Sequence, residues 1–289
     1  MTRFLDLRAT AVGGNLAASV AVNQGSDIAN YRSLDLARLV DDIRGRHVLI
    51  ATHGFNMDRA AGIACLSNWE GLLRLDRASV FLGLLWPGDS IWLHGLDYPE
   101  EPRVADEAGE RLASFLKNAN CGGAASVSFA SHSLGARVVL TAISQMRRPV
   151  RRLILMAGAI DDDCLDIEFR AAVANVGQIS VLASRQDEVL SMAFPVGNFL
   201  GGILTQGHPW WRAALGQCGP ARPWPVNFQE PCQLPDNWNF GHGDYLKIDG
   251  PPVPPIAPPV DVPPNGSAEP TSHGWQEAWT AAFASTRFR

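Results

Sequence analysis

The stretch VSFASHSLGA (residues 127–136) decides the fold of this chain. Its first four residues form a short apolar run, which is typical of a strand buried inside a sheet. From Ala136 onward, apolar residues recur at the spacing of one helical face until Pro149, which cannot continue a helix. Of the five residues between the two patterns, all except Leu134 are small or polar. The stretch therefore predicts a strand that passes through a tight turn directly into a helix.

Four further apolar runs flank this stretch, and each ends in small or polar residues. Nearly continuous apolar runs this short fit strands that are covered on both faces of a parallel sheet. Helical patterns lie between them, the clearest from Val104 to Asn118, so strands and helices alternate. We therefore predict an α/β fold with a mostly parallel central sheet flanked by helices. The predicted strands are His47–Thr52, Val80–Leu85, Val127–Ala130, Leu153–Ala157 and Ile179–Ala183.

Two regions break this alternation. Residues 195–240 are rich in Gly, Pro and Trp, and such a long irregular stretch is typical of a functional cover or binding loop. Pro251–Pro270 is predicted to be extended, with a short helix near Trp275–Phe283. We expect one domain over residues 1–250 that includes the cover, and a proline-rich extension over 251–289. The cover contains four tryptophans, Trp210, Trp211, Trp224 and Trp238.

Composition limits the partners of the chain. Its 289 residues are 46% hydrophobic, enough for one large core, and the formal net charge of −5 without a basic cluster argues against nucleic acid. The sequence contains no stretch of about 20 apolar residues, so no membrane-spanning helix is predicted. The five cysteines show no C-x-x-C spacing, so no metal site is expected. Their odd number and the lack of an apolar leader favour reduced thiols and a cytoplasmic location, and Cys218 and Cys232 would be the pair to join on export.

Ser133 is the candidate nucleophile because it occupies the predicted strand–helix turn. A serine there lies at the carboxyl edge of the sheet, and the N-terminus of the following helix favours developing negative charge. The turn needs small flanking residues, which Ser131 and Gly135 supply. The alternative is that the serine only caps the helix. His132 lies within the turn itself, so we do not expect it to act as the base.

The candidate acid is Asp187, which follows the last predicted strand in the sequence SRQDE (residues 184–188). An acid is needed to orient a histidine base and to stabilise its cation. The rivals are Glu188 next door and Asp161–Asp163 after the preceding strand, whose alternative role is a solvated turn that caps a helix. We favour Asp187 because its loop follows the strand at the same sheet edge.

The candidate base is His242, in the sequence FGHGDY (residues 240–245). A histidine between two glycines is typical of a mobile, exposed loop that can reach over a nucleophile. His208 and His273 also follow the acid in the chain, but one lies in the cover and the other beyond the proline tract. The order serine, acid, histidine therefore favours His242.

Two motifs at the ends of strands are candidates for the substrate pocket. His53-Gly54-Phe55-Asn56 follows the first predicted strand, and Gly54 lets the backbone approach a substrate closely. His53 has the alternative role of a packed loop histidine. Trp86, in the sequence WPGD after the second strand, is expected either to line an acyl pocket or to pack the loop.

Taken together, the motifs HGFN, WPG, SHSLGAR, SRQD and GHxxY resemble the α/β-hydrolase superfamily. More closely, they are similar to a bacterial branch of largely uncharacterised function whose members carry H-G-F-N and A-H-S-M-G motifs. The resemblance covers about residues 45–247. It implies an α/β-hydrolase fold and a triad with backbone N–H groups that bind an oxyanion. The implied triad is Ser133, Asp187 and His242, and the implied oxyanion donors are Phe55 and Leu134.

These motifs predict a serine hydrolase that cleaves carboxylic esters of small or hydrophobic acyl groups through an acyl-enzyme intermediate. Its expected partner is a small-molecule ester, and no cofactor is expected. The alternatives are an acyltransferase, thioesterase or amidase that uses the same triad, a lipase acting at an interface, and a non-catalytic binding protein on the same fold.

Overall fold

The computed structural model describes residues 1–13, 15–73, 75–89, 101–118, 123–192, 212–229 and 232–246. The proline-rich tract, the helix predicted after it, and residues 195–211 of the predicted cover lie outside this part of the chain. The same holds for Trp210, Trp211, His208 and His273. The division at residue 250 therefore stays a prediction.

A central sheet of nine strands runs through the described residues. Its order is β3-β2-β1-β5-β4-β6-β7-β8-β9, with the strands numbered along the chain. Their bounds are β1 Thr2–Arg8, β2 Leu16–Gly25, β3 Arg32–Ser33, β4 His47–Thr52, β5 Ser79–Leu85, β6 Ser126–His132, β7 Val150–Met156, β8 Val176–Leu182 and β9 Phe228–Gln229.

Helices connect the strands and pack on the sheet, α2 against β5 and α4 against β6 and β7. None of the described helices is long and apolar enough to cross a membrane. The helices are α1 Leu36–Ile43, α2 Arg59–Leu73, α3 Glu101–Asn118, α4 Gly135–Gln145, α5 Arg170–Ala174 and α6 Leu215–Cys218.

The prediction of a mostly parallel sheet flanked by helices is confirmed. Strands β4 to β9 and β1 pair in parallel, and only the β1–β2 and β2–β3 pairs are antiparallel. The five predicted strands correspond to β4 to β8, each with bounds that differ by no more than three residues. Their continuous apolar runs reflect burial on both faces, as in β4, where all residues after His47 are buried.

The N-terminal strands were not among the predicted elements. In β1 the charges of Arg3, Asp6 and Arg8 interrupt the apolar pattern, so the sequence does not predict a buried strand there. In the structure Asp6 and Arg8 are buried together with the apolar residues of the strand. In strand β2, near the sheet edge, Val22 and Gly25 are buried and the other positions are half-buried or exposed.

The cysteines and acidic residues within the described ranges build neither a disulfide nor a metal site. Cys218 and Cys232 are thiols in the structure, so the pair that export would join is not bonded. No group of three or more His, Cys, Asp or Glu side chains in these ranges is arranged to hold a metal ion.

Candidate active site

The candidate residues meet at one edge of the sheet because parallel strands place their carboxyl ends together. Gly54 follows β4, Trp86 follows β5, Ser133 follows β6 and Asp187 follows β8. His242 comes from a segment much further along the chain. The edge is therefore assembled from five separate connections.

The backbone at Ser133 has the strained geometry that the strand–helix turn requires. Its φ is 53°, in the left-handed region that non-glycine residues seldom adopt, at a cost of about 1–3 kcal/mol. The Ser133 N–H donates to the carbonyl of Met156 in β7, with 2.9 Å between N and O. A Cβ on Gly135 would lie 2.4 Å from the carbonyl oxygen of His53, so only glycine fits there. The turn thus presses against the loop that follows β4.

Three predicted side chains form one hydrogen-bonded row. Nε2 of His242 lies 2.9 Å from Oγ of Ser133, and Nδ1 lies 2.8 Å from Oδ2 of Asp187. Asp187 is completely buried, and its other carboxylate oxygen accepts the N–H of Leu190 at 3.0 Å. Because a carboxylate accepts hydrogen bonds, Nδ1 carries the proton and Nε2 is left to accept the serine hydroxyl. This is the arrangement in which a histidine removes a proton from serine.

The rival acids are engaged elsewhere. Asp163 pairs with Nη2 of Arg212 at 2.6 Å, Asp162 lies 3.8 Å from Nη1 of the same guanidinium, and Asp161 forms a backbone bridge with Ala214. Glu188 is exposed. Of the acids weighed from the sequence, the structure brings Asp187 to His242.

His132 supports the base through the backbone, a contact that the sequence analysis missed. Its ring is buried, and Nε2 donates to the carbonyl oxygen of His242 at 2.8 Å. Burial lowers the pKa of His132 to about 3, with the positive charge of a protonated His242 adding to the effect. His132 is therefore neutral at physiological pH. The sequence signal for this contact was the position of His132 next to Ser133, because a residue in the turn lies close to any group that contacts Ser133.

The loop that carries His242 is held by further hydrogen bonds. The hydroxyl of Ser184 donates to the carbonyl of Phe240 at 2.5 Å, and the N–H of Gly241 donates to the Asp244 carboxylate at 2.6 Å. The flanking glycines suggested a mobile, exposed loop. The contacts instead anchor it on both sides of the histidine, whose side chain is only 17% exposed.

Residues 53–57, which we call the oxyanion loop after the role predicted for Phe55, lie directly against Ser133. A Cβ on Gly54 would be 2.6 Å from Cβ of Ser133, so the backbone approaches as closely as glycine allows. Asn56 has a φ of 60°, a conformation that asparagine tolerates. The N–H of Leu134 stands before the first residue of α4, where N–H groups have no acceptor within the helix. Phe55 thus follows the residue that contacts Ser133, and Leu134 follows Ser133 itself.

The rings of His53 and Trp86 pack against the backbone of this loop. His53 is completely buried, and Nδ1 donates to the carbonyl of Gly54 at 2.8 Å. The indole N–H of Trp86 donates to the His53 carbonyl at 3.0 Å, and the two rings stack with centroids 6.0 Å apart. Burial lowers the pKa of His53 to about 4, so it stays neutral. Neither ring has exposed surface, and of the two roles left open for Trp86 the contacts favour packing of the loop.

Comparison with known proteins gives a family and a set of fold relatives. The family model described as "Alpha/beta hydrolase of unknown function (DUF900)" matches residues 30–223. Similar solved structures include esterase PE8, with 15% identity over 53% of this chain and 80% of that chain and a TM-score of 0.36. MenH from S. aureus has 12% identity over 72% and 90% of the two chains and a TM-score of 0.33. A lipase-esterase related protein from Clostridium acetobutylicum has 18% identity over 45% and 49%, with a TM-score of 0.28. No match was found among the curated proteins.

Proposed function

We propose that this chain, which belongs to the family of α/β hydrolases of unknown function, is a serine hydrolase that cleaves carboxylic esters through an acyl-enzyme intermediate. One observation carries the proposal. The two ring nitrogens of His242 lie 2.9 Å from the Ser133 hydroxyl and 2.8 Å from the Asp187 carboxylate. Family membership supports a hydrolase, and the choice of a serine mechanism rests on this row of contacts.

In the first half-reaction Nε2 of His242 takes the hydroxyl proton while Oγ of Ser133 attacks the ester carbonyl carbon. A carbon–oxygen bond forms, and the carbonyl oxygen becomes an oxyanion. Asp187 stabilises the imidazolium, because its buried carboxylate faces the Nδ1–H directly. The imidazolium then gives its proton to the alcohol oxygen, which leaves as the bond to the carbonyl carbon breaks.

The backbone N–H groups of Phe55 and Leu134 are the donors that we assign to the oxyanion. One comes from the loop after β4 and the other from the start of α4. Fixed donors in a site with little water stabilise developing charge without having to reorient, and one such donor is typically worth about 10²–10³ in rate. The close approach of Gly54 to Ser133 supports this assignment.

In the second half-reaction water replaces the alcohol. His242 removes a proton from the water as the water oxygen attacks the acyl carbon. When the intermediate collapses, the imidazolium of His242 gives that proton to Oγ of Ser133, the bond between Oγ and the acyl carbon breaks, and the acid leaves. The side chains already named accept and return every proton in the two half-reactions, and no atom changes its oxidation state. The scheme therefore calls for no cofactor. The partner is a small-molecule ester.

We assign small or hydrophobic acyl groups to the site because Phe55, which follows Gly54 in the loop against Ser133, is an apolar and only partly buried side chain. The other acyl-transfer reactions, with thioester, amide or a second alcohol, would use the same row. Product analysis with added alcohol or amine acceptors separates them from hydrolysis. A cytoplasmic location stays a prediction from composition.

The test is hydrolysis of p-nitrophenyl acetate and butyrate, with fluorophosphonate labelling of the same samples. Wild type should hydrolyse and label, and Ser133→Ala should do neither. Ser131→Ala is the matched control, because the Ser131 hydroxyl is buried two residues away with no hydrogen-bond partner and its loss should leave both signals intact. A wild type that neither hydrolyses nor labels would overturn the proposal and favour a binding protein. Full activity in Ser133→Ala would show that the nucleophile is wrong.

A further inference from the structure

The N-terminal strand brings a buried arginine to the candidate active-site edge. Strand β1 runs parallel to β5, with Asp6 opposite Leu85, so Arg8 at the end of β1 lies level with the start of the Trp86 loop, which we define as residues 86–89. The Arg8 side chain has no exposed surface. A charge buried this completely costs several kcal/mol unless it is paired and hydrogen-bonded.

The Arg8 guanidinium bridges the two loops beside Ser133. One nitrogen, Nη1, donates to the carbonyl of Met57 at 3.0 Å and to the carbonyl of Trp86 at 2.9 Å. Met57 is the last residue of the oxyanion loop, and Trp86 is the first residue of the Trp86 loop. One nitrogen therefore sets the spacing between the two segments.

The charge of Arg8 is balanced by Asp89, the last residue of the Trp86 loop. Nη2 forms an ion pair with Oδ1 of Asp89, and Oδ2 accepts the N–H of Gly13 at 3.0 Å. Nη2 also lies 3.3–3.4 Å from the carbonyl oxygens of Ala11 and Gly13, and Nε donates to the carbonyl of Thr10 at 3.4 Å. This use of a planar fork with five donors is specific to arginine, since a lysine ammonium has three donors and no fixed plane.

The bridge acts next to the oxyanion donor. The two loops are also joined by the N–H of Asn56, which donates to the carbonyl of Gly88 at 2.6 Å. Phe55 lies between this hydrogen bond and Gly54, which touches the nucleophile. A shift of the loop pair would therefore move the Phe55 N–H relative to Ser133. Misplacement of a reacting group by about 1 Å can cost on the order of 10² in rate.

We propose that Arg8, held by Asp89, is a positioning residue that sets the oxyanion loop for catalysis. The inference rests on the serine hydrolase function proposed above. It also gives the N-terminal segment a part in the reaction, although residues before 30 lie outside the family match. The alternative is that Arg8 contributes only to folding stability, and kinetics per active site distinguish the two.

The experiment measures kcat and KM for p-nitrophenyl butyrate in Arg8→Lys and Asp89→Asn, with active sites counted by the end point of fluorophosphonate labelling. The expected result is a fall in kcat per labelled site on the order of 10- to 100-fold, with little change in KM and in the pH profile. Asp89→Asn conserves shape, so it tests the bridge if Arg8→Lys does not fold. Arg3→Lys is the matched control, because Arg3 lies in the same strand and pairs with Asp42 at 2.8 Å.

Three different results would overturn the inference. If both variants keep the wild-type kcat per labelled site while their Tm falls, Arg8 is only a structural residue and the proposed hydrolase stands. If wild type neither hydrolyses the ester nor labels at Ser133, the proposed function fails and the positioning role fails with it. A loss of activity in Arg3→Lys equal to that in Arg8→Lys would also contradict a specific role for the bridge.

Discussion

Nε2 of His132 lies 2.8 Å from the carbonyl oxygen of His242, so the residue before the candidate nucleophile holds the backbone of the candidate base. The two rings are also in contact, with centroids 4.8 Å apart. The turn at Ser133 and the loop of His242 are thus linked twice, once through the hydrogen bond between Ser133 and His242 and once through this support.

His132→Ala should lower kcat about tenfold, equivalent to about 1.4 kcal/mol, because the His242 backbone loses a fixed donor. His132→Gln, whose amide nitrogen can reach a similar position, should keep more of the activity. The measurement is kcat for p-nitrophenyl butyrate per labelled site. Equal activity in wild type and His132→Ala would show that the contact has no part in positioning.

Acid should destabilise the protein through the buried histidines His53 and His132. The folded-state pKa values of about 3 for His132 and about 4 for His53 lie below the ordinary value of 6.5, so below pH 6.5 the unfolded chain binds protons that the folded chain does not. Stability is therefore lost as pH falls from about 6.5, at about 1.4 kcal/mol per pH unit for each histidine.

Urea unfolding between pH 7 and pH 4 measures this dependence. His132→Gln removes one titrating group, so its free energy of unfolding should fall less steeply with acid than that of wild type. Parallel curves for the two proteins would contradict the assignment of the loss to His132.

Asp187→Asn should reduce kcat by on the order of 10⁴, because an amide in place of the carboxylate favours the wrong histidine tautomer and cannot stabilise the imidazolium. Asp163→Asn is the comparison, since Asp163 pairs with Arg212 and not with His242. Both variants are assayed for ester hydrolysis at pH 7. Full activity in Asp187→Asn, or a matching loss in Asp163→Asn, would exclude Asp187 as the acid.

Gly54→Ala should lower kcat about 100-fold or more, because the new methyl group would lie 2.6 Å from Cβ of Ser133 and must displace the oxyanion loop. Gly71→Ala in α2 is the matched control, since a Cβ there meets no atom within 4 Å. Steady-state kinetics with a Tm for each variant separate the effect from unfolding. A Gly54→Ala enzyme as active as Gly71→Ala would rule out close packing of this loop as a catalytic requirement.

Helix α2 was not among the predicted elements, although a signal for it was present. Ile63, Leu66, Trp69 and Leu73 recur at helical spacing, and all four are buried. The HGFN motif before the helix indicates a functional loop, whereas the periodicity that follows it indicates a helix with one buried face. This element was therefore predictable from local pattern alone.

The N-terminal strand was not predictable in the same way. Charged residues within a strand usually indicate exposure, whereas Asp6 and Arg8 are buried because Arg59 and Asp89 neutralise them. Those partners lie far along the chain, Asp89 being 81 residues after Arg8. No short stretch of sequence contains both charges of either pair. The burial of β1 could therefore not be predicted from the residues around it.

What the sequence by itself determined is the local part of this protein: the strands β4 to β8, the turn at Ser133, and the segments in which an acid and a histidine had to be sought. Burial and turn geometry restrict which residue types occur at neighbouring positions, so both can be predicted from a short stretch of sequence. Only the tertiary structure decided that Asp187 contacts His242 while Asp163 contacts Arg212, and that Trp86 packs against the backbone of the oxyanion loop. These outcomes depend on distances between segments separated by tens of residues, and such distances exist only once the sheet has brought its strand ends together.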